Sequence, residues 1–213
     1  MARPRNSQLS SERIVETAIA IIGDTGLENF SMHKLAAALG VRAPSLYHYF
    51  SDKNALLAAV ALAVTAIDAV PADVPAYADW ADYLVIQAVA LRRRMMAHPQ
   101  CAPLLVQFMP RTQMFGDYEQ LCGYLRTSGV PARFHVRIVD GLTALTIGAA
   151  FLRENAAHYT VDGDGPTPEA ADHPLLCDAL AAVQDQTPDQ LFALYLQTYL
   201  DSIRREMSQN ESG

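Results

Sequence analysis

The chain has 213 residues, of which 51% are hydrophobic and 18% charged, and its formal net charge is −7 at pH 7. This composition supports a substantial core and excludes wholesale disorder, while the acidic balance excludes a protein coated in basic surface. Cys101, Cys122 and Cys177 form no CxxC pair and cannot all pair with one another, so no disulfide framework is indicated. The polar start from Met1 to Ser11 lacks the apolar stretch of a secretion signal. The apolar runs are expected to be broken before they reach the length of a bilayer, which predicts a cytoplasmic protein with no membrane partner.

In chain order, the elements read as helices nearly throughout. Ile14, Val15, Ala18, Ile19 and Ile22 recur at helical spacing before Gly23 and Gly26. Ser31 is placed to cap a short second helix that stops at Gly40. Pro44 suits the first turn of a third helix, which runs to about Phe50. Ser51 is expected to cap a fourth helix, carrying Leu56, Leu57, Val60, Val64 and Ile67 and ending before Pro71. Further helical patterns lie at roughly 76–97, 100–108, 112–128, 131–157, 173–184 and 188–207, with prolines near their boundaries. Thr160 to Pro168 is a loop by composition. The predicted fold class is all-α.

Charge is unevenly spread along this chain. Residues 1–53 carry six Lys/Arg against five Asp/Glu, whereas residues 54–213 carry ten against eighteen. A less acidic head on an acidic body favours orientation toward a polyanion. Arg92, Arg93 and Arg94 form a basic run expected at a head–body junction or in solvent.

Enzyme chemistry has no recognisable support. There is no G-x-S-x-G elbow, no phosphate-binding G-x-x-x-x-G-K-[ST] and no H-E-x-x-H. His173 with Cys177 and Glu154 with His158 are each four residues apart, but two ligands do not make a metal site. No cofactor and no enzymatic activity are expected.

Residues 31–50 read SMHKLAAALGVRAPSLYHYF. Two short helices meeting at Leu39-Gly40-Val41, with small Ala36 at the crossing, fit a helix-turn-helix whose second helix enters the major groove. An ordinary helix corner inside a bundle has the same spacing. The longer pattern of Gly26-Leu27-Glu28-Asn29-Phe30-Ser31, Leu35-Ala36, Gly40-Val41, Leu46-Tyr47, Tyr49-Phe50, Lys53 and Leu56-Leu57 resembles the DNA-binding domain of the tetracycline-repressor family over residues 11–60.

That resemblance implies a homodimer whose first three helices read double-stranded operator DNA. It implies a DNA-binding domain at 1–53 with a flexible arm, a connecting helix at 54–71, and a ligand-binding and dimerisation domain at 72–210. Arg42, Pro44 and Ser45 are candidate groove-facing residues, Tyr47 a phosphate contact, and His48 a contact to backbone or bases. Lys53 looks like the family's phosphate lysine. Ser31 is also a candidate DNA-binding residue, and His33 stands where some relatives place a base-reading arginine. Arg3 and Arg5 belong to an arm that either enters a minor groove or serves as a solubilising tail.

The body also resembles the tetracycline-repressor subgroup, through Trp80, Tyr83-Leu84, Arg93-Arg94 and His98. Its helices near 131–157 and 188–207 would then form a dimer interface. Gly141, Ala144, Gly148 and Ala149 would supply close approach, while Leu191, Leu194, Tyr195, Thr198, Tyr199 and Ile203 would supply bulk. On the subgroup's drug-binding pattern Gln87 falls where an amide would grip the drug. Leu105, Ala144 and Leu152 fall where metal-linked ligands are expected, and hydrocarbon side chains cannot coordinate a hard cation. The expected lining is therefore apolar: Leu84, Leu91, Met95, Leu105, Phe108, Met114, Tyr118, Phe134 and Ile138, with Gln87 and His135 as polar points. The effector implied is small, mostly apolar and metal-free, acting on a repressor. A magnesium-dependent antibiotic-responsive repressor with a divergent site, and a helical protein-interaction module that binds no DNA, are the alternatives.

Overall fold

The computed structural model describes residues 9–65, 79–108, 111–155, 168–182 and 185–211. Ten α-helices run through them: α1 Ser11–Thr25, α2 Met32–Leu39, α3 Ala43–Leu46, α4 Lys53–Thr65, α5 Trp80–Ala97, α6 Ala102–Gln107, α7 Arg111–Thr127, α8 His135–Asn155, α9 Pro174–Ala181 and α10 Pro188–Glu211. No strand occurs among the described residues. The chain forms two compact units. One contains residues up to 66 and the segment Ala97–Met114; the other contains Ile67–Met96 and everything from Phe115 onward.

In the first unit, helix ends follow local chemistry. Ser10 Oγ accepts from the Arg13 amide at 3.2 Å and opens α1. Its apolar stripe of Ile14, Val15, Ala18 and Ile22 is buried. The helix continues through Gly23 and ends at Gly26, where φ is +80°. Ser31 caps α2 by accepting from the Lys34 amide at 3.2 Å. At the other end Gly40 adopts φ +68°, its N–H bonding Ala37 O while Val41 N–H bonds Ala36 O. That pair of bonds is a Schellman stop, and its left-handed residue favours glycine. Pro44 lies in the first turn of α3, which is shorter than its pattern suggested: residues 47–49 form a turn closed by Phe50 N–H on Leu46 O. The cap of α4 is also displaced by one residue. Asp52 Oδ1, not Ser51, accepts from the Ala55 amide at 2.8 Å. Leu56, Leu57, Val60, Ala61 and Val64 of α4 are buried; α6 packs on α4, and the 3-10 turn Pro99–Cys101 packs on α1.

The second unit is a helical body around Tyr83, Leu84, Leu125, Phe134, Ile138, Leu196, Leu200 and Ile203. On α10, Phe192, Leu196, Leu200 and Ile203 are buried at spacings of three and four, the stripe of an amphipathic helix. Its N-terminus is a capping box, with Thr187 N–H bonding Gln190 Oε1 and Gln190 N–H bonding Thr187 Oγ1. The basic run on α5 is not a solvent feature throughout. Arg92 is buried, and both Arg92 and Arg93 bind the carboxylate of Asp189, at 2.7 and 2.5 Å. Three consecutive helical residues sweep about 200° of the surface, and here Arg92 turns inward while Arg93 and Arg94 are exposed.

The expectation that every apolar run is cut short of a bilayer needs correction. Ala132–Phe151, with a mean hydropathy of 1.3, is long and apolar enough to cross a membrane. Its apolarity has a packing explanation: Phe134, Ile138, Val139 and Leu142 belong to the body's core.

Candidate nucleic-acid interface and effector body

The head places its candidate DNA-facing groups on one short stretch of chain. Arg42, Pro44, Tyr47 and His48 are exposed and Ser45 partly so, whereas Leu46, between them, is fully buried. Leu46 therefore anchors α3 to the core while its neighbours turn outward. Tyr47 is half exposed. His33, on the first turn of α2, is exposed as well. Ser31 is occupied as the α2 cap. Arg3 and Arg5 lie outside the described residues.

Lys53 has intramolecular contacts. Its Nζ donates to the Phe30 carbonyl at 2.9 Å and lies 5.5 Å from the centre of the Phe30 ring. Lys34 Nζ donates to the preceding carbonyl, that of Asn29, at 2.7 Å. Tyr49, which sequence reasoning assigned no role, donates from Oη to Leu9 O at 2.7 Å.

The candidate effector-lining residues are divided between the units. Leu84, Gln87, Leu91 and Met95 occupy one face of α5 at spacings of three and four, and with Tyr118, Phe134, His135 and Ile138 they belong to the body. Leu105, Phe108 and Met114 belong to the first unit; the side chain of Met114 lies outside the described ones. Leu84, Phe134 and Ile138 are in the body's hydrophobic core, whereas Gln87 and Leu91 are only partly buried. His135 Nε2 donates to the Val130 carbonyl at 2.8 Å, closing the turn between α7 and α8. Tyr118 Oη donates to Asp140 Oδ1 at 2.5 Å. Burial first, and then this hydrogen bond to a carboxylate, push the Tyr118 phenol above its ordinary range.

Among the described residues no group of three or more His, Cys, Asp or Glu could hold a metal ion. Leu105 is buried and Ala144 exposed, each a hydrocarbon side chain where a chelate would need a donor. Cys177 Sγ points to Pro168 O at 3.5 Å. Leu152 and Glu154 have side chains outside the described ones, and His158 lies outside the described residues altogether.

The candidate dimer helices divide in two. Gly141 faces the Tyr199 ring inside the body, Tyr199 Oη donates to Arg137 O at 2.5 Å, and Ile203 is buried. Those residues serve internal packing. Ala144, Leu145 and Phe151 on α8, with Leu194, Tyr195 and Thr198 on α10, remain exposed.

Residues 14–60, which hold most of α1, all of α2 and α3 and the first part of α4, match the family model described as bacterial regulatory proteins, tetR family. The likeness extends well beyond the head. The tetracycline repressor protein class A from transposon 1721 of Escherichia coli is 28% identical over 210 residues, 97% of each chain.

The chain belongs to the TetR family of transcriptional regulators.

Two solved structures extend the comparison. The TetR-family protein ActR of Streptomyces coelicolor in complex with actinorhodin is 25% identical, with a TM-score of 0.68 over 94% of this chain and 99% of that one. A single-substitution variant of TetR from Acinetobacter baumannii AYE in complex with minocycline is 22% identical, with a TM-score of 0.72 over 93% and 94%, and shares the fold. As a TetR-family member the chain is a DNA-binding regulator, and the family is one of regulators rather than enzymes.

Proposed function

We propose that this chain is a homodimeric repressor that binds a palindromic operator through α2 and α3 and is released by a small, mostly apolar effector with no divalent metal. One observation carries the DNA-binding part: buried Leu46 holds α3 to the head while Arg42, Pro44, Tyr47 and His48 stand exposed around it. Phosphate contacts from Tyr47 would fix register, and Arg42, Pro44, Ser45 and His33 would read base edges. The arm carrying Arg3 and Arg5 would add contacts beside the half-site. Exposed Leu145, Phe151, Leu194 and Tyr195 on α8 and α10 favour a second copy as the surface they cover. Two heads on successive major-groove turns bind far more tightly than one.

The effector reading rests on the α5 face of Leu84, Gln87, Leu91 and Met95, mostly hydrocarbon with one amide. Such a surface suits an apolar ligand oriented by few hydrogen bonds. Phe134, Ile138, Tyr118 and His135 from the body complete the proposed lining. Relatives bound to minocycline and to actinorhodin support a small-molecule effector. The full-length likeness to a tetracycline repressor favours a second reading, a magnesium–drug chelate, against which stand the hydrocarbon side chains of Leu105 and Ala144. Titrating candidate effectors into the operator complex in excess chelator separates the two. Release in chelator is expected; release only after magnesium is restored would favour the chelate.

A further inference from the structure

The corner leading into α2 is held by two ammonium groups on consecutive carbonyls. Lys34 Nζ takes Asn29 O at 2.7 Å and Lys53 Nζ takes Phe30 O at 2.9 Å. The two lysines differ in reach. Lys34 lies five residues from its acceptor, on the helix that the corner starts, so its bond is local. Lys53 is the first residue of α4 and lies 23 residues from Phe30. Phe30 is itself fixed: it is 2% exposed, its N–H bonds Leu27 O, and Lys53 also lies over its ring. The next residue, Ser31, caps α2. The Lys53 bond therefore connects the N-terminus of α4 to the N-terminus of α2 through one buried residue.

We infer that Lys53 is a positioning residue for operator binding, which sets α2 against α4 through the Phe30 carbonyl. The inference rests on the DNA-binding reading above and gives Lys53 a different task within it. A charge-assisted bond is stronger than a neutral one, and here it adds to the packing of buried Phe30. Any displacement of the first turn of α4 is then felt at the cap of α2, two residues before His33 and one helix before α3.

The test uses the full-length protein, Lys53→Met and Lys53→Arg, with an operator selected from random duplex DNA. Methionine keeps the apolar contact with Phe30 and removes the donor, whereas arginine restores a donor. For a brace, Lys53→Met lowers operator affinity about three- to tenfold, as for one lost charge-assisted bond, and by a similar factor at low and high salt. Backbone amides of Phe30, Lys34 and Leu35 exchange faster in the DNA-free protein, and Lys53→Arg restores both properties. For a phosphate clamp, the slope of log affinity against log salt falls by about 0.9 per protomer while amide exchange is unchanged. That result would overturn the inference. Amide exchange needs no DNA, so loss of protection in Lys53→Met supports the brace even if the wild-type protein selects no operator; in that case the DNA-binding reading fails by itself. Unchanged exchange rejects the brace whatever the operator result.

Discussion

The phenol of Tyr49 donates to the carbonyl of Leu9 at 2.7 Å, joining residues 40 positions apart in the sequence. Tyr49 lies in the turn that follows α3, and Leu9 directly precedes Ser10, the cap of α1. The bond closes the head around its reading helix and fixes where the chain enters α1. Tyr49→Phe removes only the donor, and unfolding in urea should show a loss of about 1 kcal/mol. An unchanged midpoint would mean that water replaces the phenol at no cost.

On the DNA side, Tyr47 and Arg42 should separate affinity from preference. Tyr47→Phe is expected to weaken binding to all operator variants by about 1 kcal/mol, with base preference retained. Arg42→Ala is expected to relax preference at one base pair by roughly 1–3 kcal/mol. Binding measured across single-base operator variants checks both; a uniform loss for Arg42→Ala would make it a phosphate contact.

The carboxylate of Asp189 holds two arginines of unequal burial. The Arg92 side chain is 7% exposed and that of Arg93 67%. Arg92 also lies 5.3 Å from the centre of the Phe192 ring. Asp189→Ala leaves a buried guanidinium without this carboxylate and should cost about 3 kcal/mol, the low end for breaking a buried pair because Asp189 retains some water access. Arg93→Ala should cost under about 1 kcal/mol. Equal losses in denaturant unfolding would contradict this division.

Gly141 has no room for a side chain. A Cβ there would collide with the Tyr199 phenol, whose ring is stiff and whose hydroxyl is held by Arg137 O. Gly141→Ala should therefore destabilise the body by about 1–3 kcal/mol, the usual range for overpacking. In Gly141→Ala/Tyr199→Ala the collision is absent, so the two substitutions should cost less than the sum of their separate effects. Additive losses in a thermal unfolding cycle would place the strain elsewhere.

The head was the more legible part of the sequence because its signals are local. Ser31, Gly40 and Pro44 each act within a few residues of their own position, and each occupies the predicted place. Ser51 and Asp52 are both competent caps standing side by side, and spacing alone cannot choose between them. The body was legible only as helices. An apolar stripe reports that a face is buried but not against what, so Leu84, Phe134 and Ile138 carry one signal whether they line a cavity or fill a core. The same ambiguity combined Gly141 and Tyr199, which meet inside the body, with Leu194 and Tyr195, which are exposed. Contacts such as Arg92–Asp189 and Tyr49–Leu9 cross long stretches of chain and leave no periodic trace.

Operator selection from a random pool of duplex DNA, followed by footprinting of the bound fragment, tests the central claim most directly. A dimer presenting two copies of α3 should enrich a two-fold palindrome, with half-site centres about 34–36 Å apart along the duplex or a multiple of that distance. Enrichment of a single unpaired half-site, or of no sequence at all by a protein that remains monomeric in light scattering, would contradict it.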